Sequence, residues 1–159
     1  MTTTDEADDK IPTIETIDVL GDGGMLKRVL SEGTELIPRG ATAIIHYTGK
    51  LEDGTVFDSS ASRGVPYTFK IGFREVILGW DLGIATMRRG EKSQLLLKSE
   101  YAYGKETVGP IPPYSNLVYD VELVGWEFEK KEGLALLPIL TITVFVLLLG
   151  CFVGSVLPK

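Results

Sequence analysis

Apolar and polar residues alternate with a period of two through most of the chain, and one short stretch breaks that rhythm with helical spacing. Met25–Ser31 alternates, as do Ala41–Thr48, with Ile44, Ile45 and Tyr47, and Tyr67–Ile71. Lys92–Lys98 puts Leu95 and Leu97 on one face. Leu117–Phe128 puts Leu117, Tyr119, Val121 and Leu123 on one face and Asp120 and Glu122 on the other. Period two with β-branched and aromatic residues predicts strands. Ile14–Leu20 alternates loosely, and Val56–Asp58 reads as extended chain after a turn centred on Asp53-Gly54. The exception is Arg74–Met87. Val76-Ile77-Leu78 reads as extended, and beyond Gly79 the apolar residues Trp80, Ile84 and Met87 are spaced by four and then three, one stripe of a short helix. Arg88, Arg89 and Gly90 supply basic last-turn residues and a C-terminal glycine to close it. A helix this short is not stable alone and needs a sheet to lie on. Hairpin-sized gaps between most strands favour an antiparallel sheet. The fold class expected is therefore α+β, a twisted antiparallel β-sheet wrapped around one short α-helix. Trp80 in the first turn of that helix would form the floor of any pocket the sheet encloses.

Two other segments interrupt the alternation. Ser59–Val65 is small and polar and reads as a loop; Tyr101–Pro113 is a long loop with two tyrosines and three prolines, of a length that in small domains usually serves function. The glycines of Gly21-Asp22-Gly23-Gly24 suit a tight turn, since no Gly-Lys-Ser or Gly-Lys-Thr follows to make a phosphate cradle.

Composition narrows the chemistry. The 159-residue chain carries a net charge of -6 with no basic run longer than two, which argues against a nucleic-acid partner. Its one histidine, His46, lies mid-strand without a cysteine or serine partner and reads as a packed residue, so neither a metal nor a nucleophilic triad is expected. The single cysteine, Cys151, falls in an apolar tail, outside the globular part. No cofactor is called for. What remains is a set of aromatics at strand ends, loops and the helix start, which suggests either an aromatic-rich core or an apolar pocket with a few polar groups.

At this point the residues carry a likeness. His46-Tyr-Thr-Gly49, Asp53-Gly-Thr-Val-Phe-Asp-Ser-Ser60, Glu75-Val-Ile-Leu-Gly-Trp80, Tyr101-Ala-Tyr-Gly104 and Ile111-Pro-Pro113, in this order and spacing, closely resemble the FKBP-type peptidyl-prolyl cis-trans isomerases, the tacrolimus-binding immunophilins. The likeness runs from about Gly23 to Phe128. It implies isomerisation of X-Pro bonds, with Asp58, Tyr103 and Trp80 as catalytic residues and Tyr47, Phe57, Tyr67, Val76, Ile77 and Tyr119 binding substrate or drug. It implies that the Ile77 N–H and Tyr103 hydroxyl donate to ligand carbonyls, and that Asp58 faces Arg63 and Tyr47. It also implies proline-containing clients and macrolides such as tacrolimus as partners. Tyr67 and Tyr119 stand where many members have Phe, and the loop between Gly104 and Pro112 is one residue shorter than in small single-domain members. The opening Ile17–Gly24 is similar to larger members that continue into tetratricopeptide repeats, and no such repeat follows here. A second reading is a membrane-tethered binding module or co-chaperone that uses the same pocket, or the Tyr103–Tyr114 loop, with little or no isomerase activity.

The ends of the chain complete the expected organisation. Residues 1–13 are polar and acidic and read as a disordered arm; 14–128 form the isomerase domain and 129–132 a short charged linker. Residues 133–157 carry no charge, and as a helix of roughly 25 residues would be about 37 Å long, more than the ~20 apolar residues a bilayer core needs. With no basic, apolar leader at the N-terminus, this is the pattern of a C-terminal tail anchor with the isomerase domain in the cytosol. The long, strongly apolar span favours the endoplasmic reticulum; Lys130 and Lys131 before it keep the mitochondrial outer membrane as the alternative. Gly150 and Gly154 are spaced as in small-xxx-small helix pairs.

Overall fold

The computed structural model describes residues 15–129, and the segments expected as an acidic arm (1–13) and a transmembrane helix (133–157) lie outside the described residues. The elements run β1 (Thr16–Asp18), β2 (Met25–Ser31), β3 (Thr42–Leu51), β4 (Val56–Ser59), α1 (Ser60–Arg63), β5 (Tyr67–Lys70), α2 (Leu78–Ile84), β6 (Lys92–Leu97), a 3-10 turn (Ser99–Tyr101) and β7 (Leu117–Glu127). All strand pairs are antiparallel, in the order β1-β2-β6-β7-β3-β4, with β5 also paired to β3. The expected class, an antiparallel sheet with a short helix, is what the chain forms. Among the described residues no helix is long and apolar enough to cross a membrane.

Strand order departs from what the gaps suggest. β2 and β3 are close in sequence, yet β2 pairs with β6 and β3 with β7, so the chain crosses over between them. The physical reason is burial: β3 and β7 are the two longest strands, and pairing them from Thr42↔Glu127 to Leu51↔Leu117 lines up their buried faces. A register shift between Ile44 and Ile45 leaves Val124 outside the one-to-one pairing, and Val124 is exposed.

Helix α2 ends earlier than its stripe suggests. Ile84 is its last residue and Ala85 its cap; Met87 is buried through a turn in which its N–H donates to the Ile84 carbonyl at 2.9 Å. The apolar spacing of four and three persists past the helix because the turn points Met87 at the same core. Arg88, Arg89 and Gly90 therefore belong to the turn into β6, with Gly90 at φ 79°. Leu78 opens the helix and is not part of an extended run. Ser59–Val65 is likewise more than a loop: Ser60–Arg63 is helical, capped by the Ser59 hydroxyl, which accepts the Ser62 N–H at 3.3 Å. Four small or polar residues show no apolar period, so this helix was invisible to pattern.

α2 lies closely on the sheet because two of its residues have no side chain. A Cβ on Gly79 would stand 2.5 Å from Leu97 Cδ1 on β6, and one on Gly83 3.1 Å from Leu95 Cδ1. Gly79→Ala is expected to cost about 1–3 kcal/mol by overpacking, because Leu97 is itself fully enclosed. A urea titration of both proteins checks this: the midpoint falls while the slope is unchanged.

One inward position on β2 is charged. Lys27 follows Met25 on the buried face, and its ammonium donates to Glu91 Oε1 at 3.0 Å and to the Thr86 carbonyl at 3.0 Å. Glu91 also accepts from the Ser93 hydroxyl at 2.7 Å and the Arg88 N–H at 2.8 Å. This buried network ties the end of α2 to β2 and β6.

Candidate active site

Trp80 is placed by the first turn of α2 and is ringed by aromatics from three strands. Its ring centroid lies 4.6 Å from Tyr47 (β3), 5.0 Å from Tyr119 (β7) and 5.7 Å from Tyr67 (β5), each edge-on. Such edge-to-face pairs fix ring orientation as well as burying area. The indole Nε1 is buried and has no hydrogen-bond partner among the described residues. Gly49, opposite Tyr119 in the β3–β7 ladder, has no side chain because there is no room for one. A Cβ there would stand 2.6 Å from Phe57 Cζ and 2.8 Å from Tyr119 Cε1. The Phe57 ring thus packs edge-on to Tyr119 with centroids 5.7 Å apart.

Polar side chains hold the walls. The Ser60 hydroxyl, buried at the start of α1, accepts the Tyr47 N–H at 2.8 Å. Asp58 accepts the hydroxyl of Tyr47 on one oxygen and the Arg63 guanidinium on the other, and Arg63 Nη2 donates to the Tyr47 hydroxyl at 3.2 Å. Asp81, buried on α2, accepts the Gly72 N–H at 2.6 Å and the Arg74 N–H at 3.2 Å. Those bonds stabilise a turn in which Arg74 has φ 56°, and the turn delivers Val76 and Ile77 to the helix start. The Ile77 carbonyl accepts the Trp80 and Asp81 N–H groups, while its own N–H donates to no backbone carbonyl among the described residues. The long loop is fixed at its root, where the Ser99 N–H donates to Asn116 Oδ1 at 3.1 Å and the Tyr101 hydroxyl to Asp22. Its tip is a small reciprocal pair between Val108 and Ile111.

These parts enclose a cavity of about 540 Å³. All nine residues that the family likeness named, Tyr47, Phe57, Asp58, Tyr67, Val76, Ile77, Trp80, Tyr103 and Tyr119, line it. Glu75 and Val108–Ile111 line it too and were not among them. The length and prolines of the 101–113 loop were the available signal for the second group. Glu75 is tied down by the Lys70 N–H, which donates to its Oε2 at 2.9 Å. His46 alternates with Tyr47 on β3 and does not line this cavity; its Nδ1 lies 3.3 Å from the Ser60 hydroxyl. Among the described residues no cluster of His, Cys, Asp and Glu could hold a metal.

The cavity has one fixed ion pair, Asp58 with Arg63, at its wall, and its buried tyrosine hydroxyls are held neutral. Burial pushes the Tyr119 hydroxyl well above the usual phenol range, with the neighbouring Tyr103 adding to the shift. Burial, then the bond to Asp58, also raises Tyr47. At Asp58 partial burial opposes ionisation, but the hydrogen bonds from Tyr47 and Arg63 outweigh it and lower its pKa. No group in the cavity is arranged as a base beside a nucleophile. An apolar site with isolated donors suits a reaction without covalent change.

Residues 33–124 match the family of FKBP-type peptidyl-prolyl cis-trans isomerases. The chain belongs to that family, and its activity class is peptidyl-prolyl cis-trans isomerisation. It is 46% identical over 122 residues to FK506-binding protein 59 of Drosophila melanogaster, covering 75% of this chain and 28% of that protein. It is 50% identical over 105 residues to peptidyl-prolyl cis-trans isomerase FPR2 of Saccharomyces cerevisiae, covering 64% of this chain and 77% of that one. The crystal structure of AtFKBP13 superposes with a TM-score of 0.64 at 40% identity, covering 66% of this chain and 94% of that one.

Proposed function

We propose that the chain isomerises X-Pro bonds of cytosol-facing proteins at a membrane, binding the twisted amide in the aromatic cavity. The observation that carries this reading is the Ile77 N–H, without a backbone partner among the described residues, at the edge of a cavity floored by Trp80. Rotation about X-Pro is slow because amide resonance must be broken, a barrier of about 18–20 kcal/mol. The twisted amide has lost that resonance, so its carbonyl is less polar and tolerates an apolar setting better than the planar ground state does. Differential binding of this kind accelerates the step without an acid or base. Trp80, Tyr47 and Tyr119 enclose the proline ring, Phe57 and Tyr67 wall it, and Val76 packs beside it. Ile77 N–H and Tyr103 hydroxyl hold the flanking carbonyls, and Asp58, fixed by Arg63 and Tyr47, aims a partial negative charge at the wall where the carbonyl carbon turns. The same cavity would take tacrolimus, as the name FK506-binding protein says of the Drosophila relative.

The membrane part rests on the uncharged 133–157 stretch, read as a tail anchor in the endoplasmic reticulum with the lipid bilayer as a standing partner. Two measurements test the proposal. The full chain in detergent accelerates cis-to-trans conversion of an X-Pro peptide, tacrolimus abolishes the acceleration, and Tyr103→Phe lowers it about 3- to 10-fold, as expected for one net hydrogen bond. Rates equal to buffer would reject the enzymatic reading and leave a binding module. Separately, a glycosylation acceptor after Lys159 is modified if the C-terminus reaches the lumen. An unmodified product that co-purifies with mitochondria assigns the other membrane.

A further inference from the structure

Tyr101 and Tyr103 leave one short turn for different destinations. Residues 98–104 fold on themselves: the Tyr101 N–H donates to the Lys98 carbonyl at 2.9 Å, and the Ala102 and Gly104 N–H groups donate to the Ser99 carbonyl at 3.0 and 2.8 Å. From there Tyr103 reaches the cavity, while Tyr101 reaches the turn between β1 and β2. That second turn, residues 18–24, precedes the span 33–124 that carries the family match, and its bonds are arranged to present one carboxylate. Asp18 accepts the Gly21 N–H at 2.9 Å and the Gly23 N–H at 2.8 Å, which fixes the turn from inside. Asp22 accepts the Gly24 N–H on Oδ1 at 2.8 Å and the Tyr101 hydroxyl on Oδ2. Those two bonds, the one from Tyr101 foremost, hold the Asp22 carboxyl below its usual range, so the acceptor stays ionised. Gly24 makes room for the ring: a Cβ there would stand 2.3 Å from Tyr101 Cε2. The Gly24 carbonyl also accepts the Lys98 N–H at 2.9 Å. The 18–24 turn therefore holds Tyr101 at its hydroxyl, along its ring and by the chain three residues before it.

The bond from Tyr101 to Asp22 adds little to stability, because Asp22 is exposed and water can take its place as a partner. What the bond restricts is direction. Tyr103 lies two residues beyond Tyr101, inside the turn that the Ser99 carbonyl closes, so a small rotation of that turn is magnified at the Tyr103 hydroxyl, the far end of a long side chain. An error of about 1 Å in the placement of a binding group can cost up to about 100-fold in rate. The Gly104 carbonyl accepts the Tyr114 N–H at 2.7 Å, so the returning end of the long loop hangs on the same turn. We propose that Asp22 is a positioning residue of the isomerase: through Tyr101 it sets the turn that aims the Tyr103 hydroxyl at the substrate carbonyl. This rests on the proposed role of Tyr103 as the donor to that carbonyl.

The test is a set of variants of the full chain in detergent, assayed on an X-Pro peptide and unfolded in urea. Asp22→Ala lowers kcat/KM about two- to fivefold, less than Tyr103→Phe does, while the urea midpoint stays where it was. Tyr101→Phe removes the same bond from its other end, keeps the ring against Gly24 and gives the same loss; Asp22→Asn keeps a carbonyl acceptor and recovers most of it. In the Tyr103→Phe background, Asp22→Ala changes kcat/KM by less than about 1.5-fold, because the group it positions is already gone. A general loosening of the fold would slow both backgrounds equally, and equal losses overturn the proposal. A native rate for Asp22→Ala beside a slowed Tyr103→Phe also overturns it and leaves the donor reading standing. A native rate for Tyr103→Phe overturns the donor reading and the role of Asp22 with it.

Discussion

Lys27→Met is expected to destabilise the domain by about 3–5 kcal/mol, the cost of leaving a buried charge without its partner. Both side chains of the pair are 4% exposed, so water cannot take over the lost contact. Methionine fills nearly the same volume, and the loss therefore reports charge and not packing. The Ser93 hydroxyl and Arg88 N–H still donate to Glu91, which places the expected cost at the lower end of that range. Glu91→Gln keeps one acceptor oxygen, for the Arg88 N–H, while its NH2 can donate to the Ser93 hydroxyl, but it removes the countercharge from Lys27, so it too is costly. The double variant Lys27→Met/Glu91→Gln buries no charge at all. Its destabilisation should be smaller than the sum of the single effects by at least about 1.5 kcal/mol, within the range of coupled neighbours. Urea unfolding of the four proteins gives the cycle, and additive effects would show that the pair is not coupled in the folded state. The network joins the end of α2 to the sheet, so the single variants should also loosen the helix that carries Trp80.

That pair also marks where reading the sequence stops. Binary pattern located β7 well, because Leu117, Tyr119, Val121 and Leu123 are buried while Asp120 and Glu122 between them face the other way. The same rule fails at β2, where the inward residue after Met25 is a lysine: its burial depends on Glu91 and Thr86, which are about sixty positions away. Strand order was hidden for a related reason, since the pairing of β2 with β6 follows from which faces bury together and not from loop length. At α2 the apolar period was a faithful guide to burial but not to conformation, because a turn keeps Met87 on the stripe after the helix has ended. For the site, periodicity singled out Trp80 and its setting, and family likeness supplied the other residues. Neither gave the reasons they stay in place: the Asp81 carboxylate under the 72–74 turn, the Ser60 hydroxyl on the Tyr47 N–H and the empty Cβ position of Gly49. Those contacts join residues that are distant in sequence and chemically ordinary by themselves.

Asp58→Ala should lower kcat/KM for an X-Pro peptide by about 10- to 100-fold. Removing one preorganised polar group from an active site typically costs about 10²- to 10³-fold where full charge develops, and a twisting amide develops less. Asp58 is held from both sides, by Tyr47 and Arg63, so its loss frees both partners and removes the charge on the wall. Asp58→Asn separates the two effects, since it keeps shape and one acceptor while discarding charge; an activity near that of the native chain would assign Asp58 to positioning Tyr47 alone. The pH dependence follows from the direction of the shift. The folded-state pKa of Asp58 is depressed, so its contribution to stability is present above the unfolded carboxylate value of about 3.9 and is lost as pH falls through the lower folded value. Tyr47 is shifted upward, so its neutral form persists beyond the ordinary phenol value of about 10. Between those limits nothing that lines the cavity is a histidine. The rate should therefore be level from about pH 5 to 9, with stability declining only below about pH 4. An inflection in kcat/KM inside that window would count against Asp58 as the titrating group of the site.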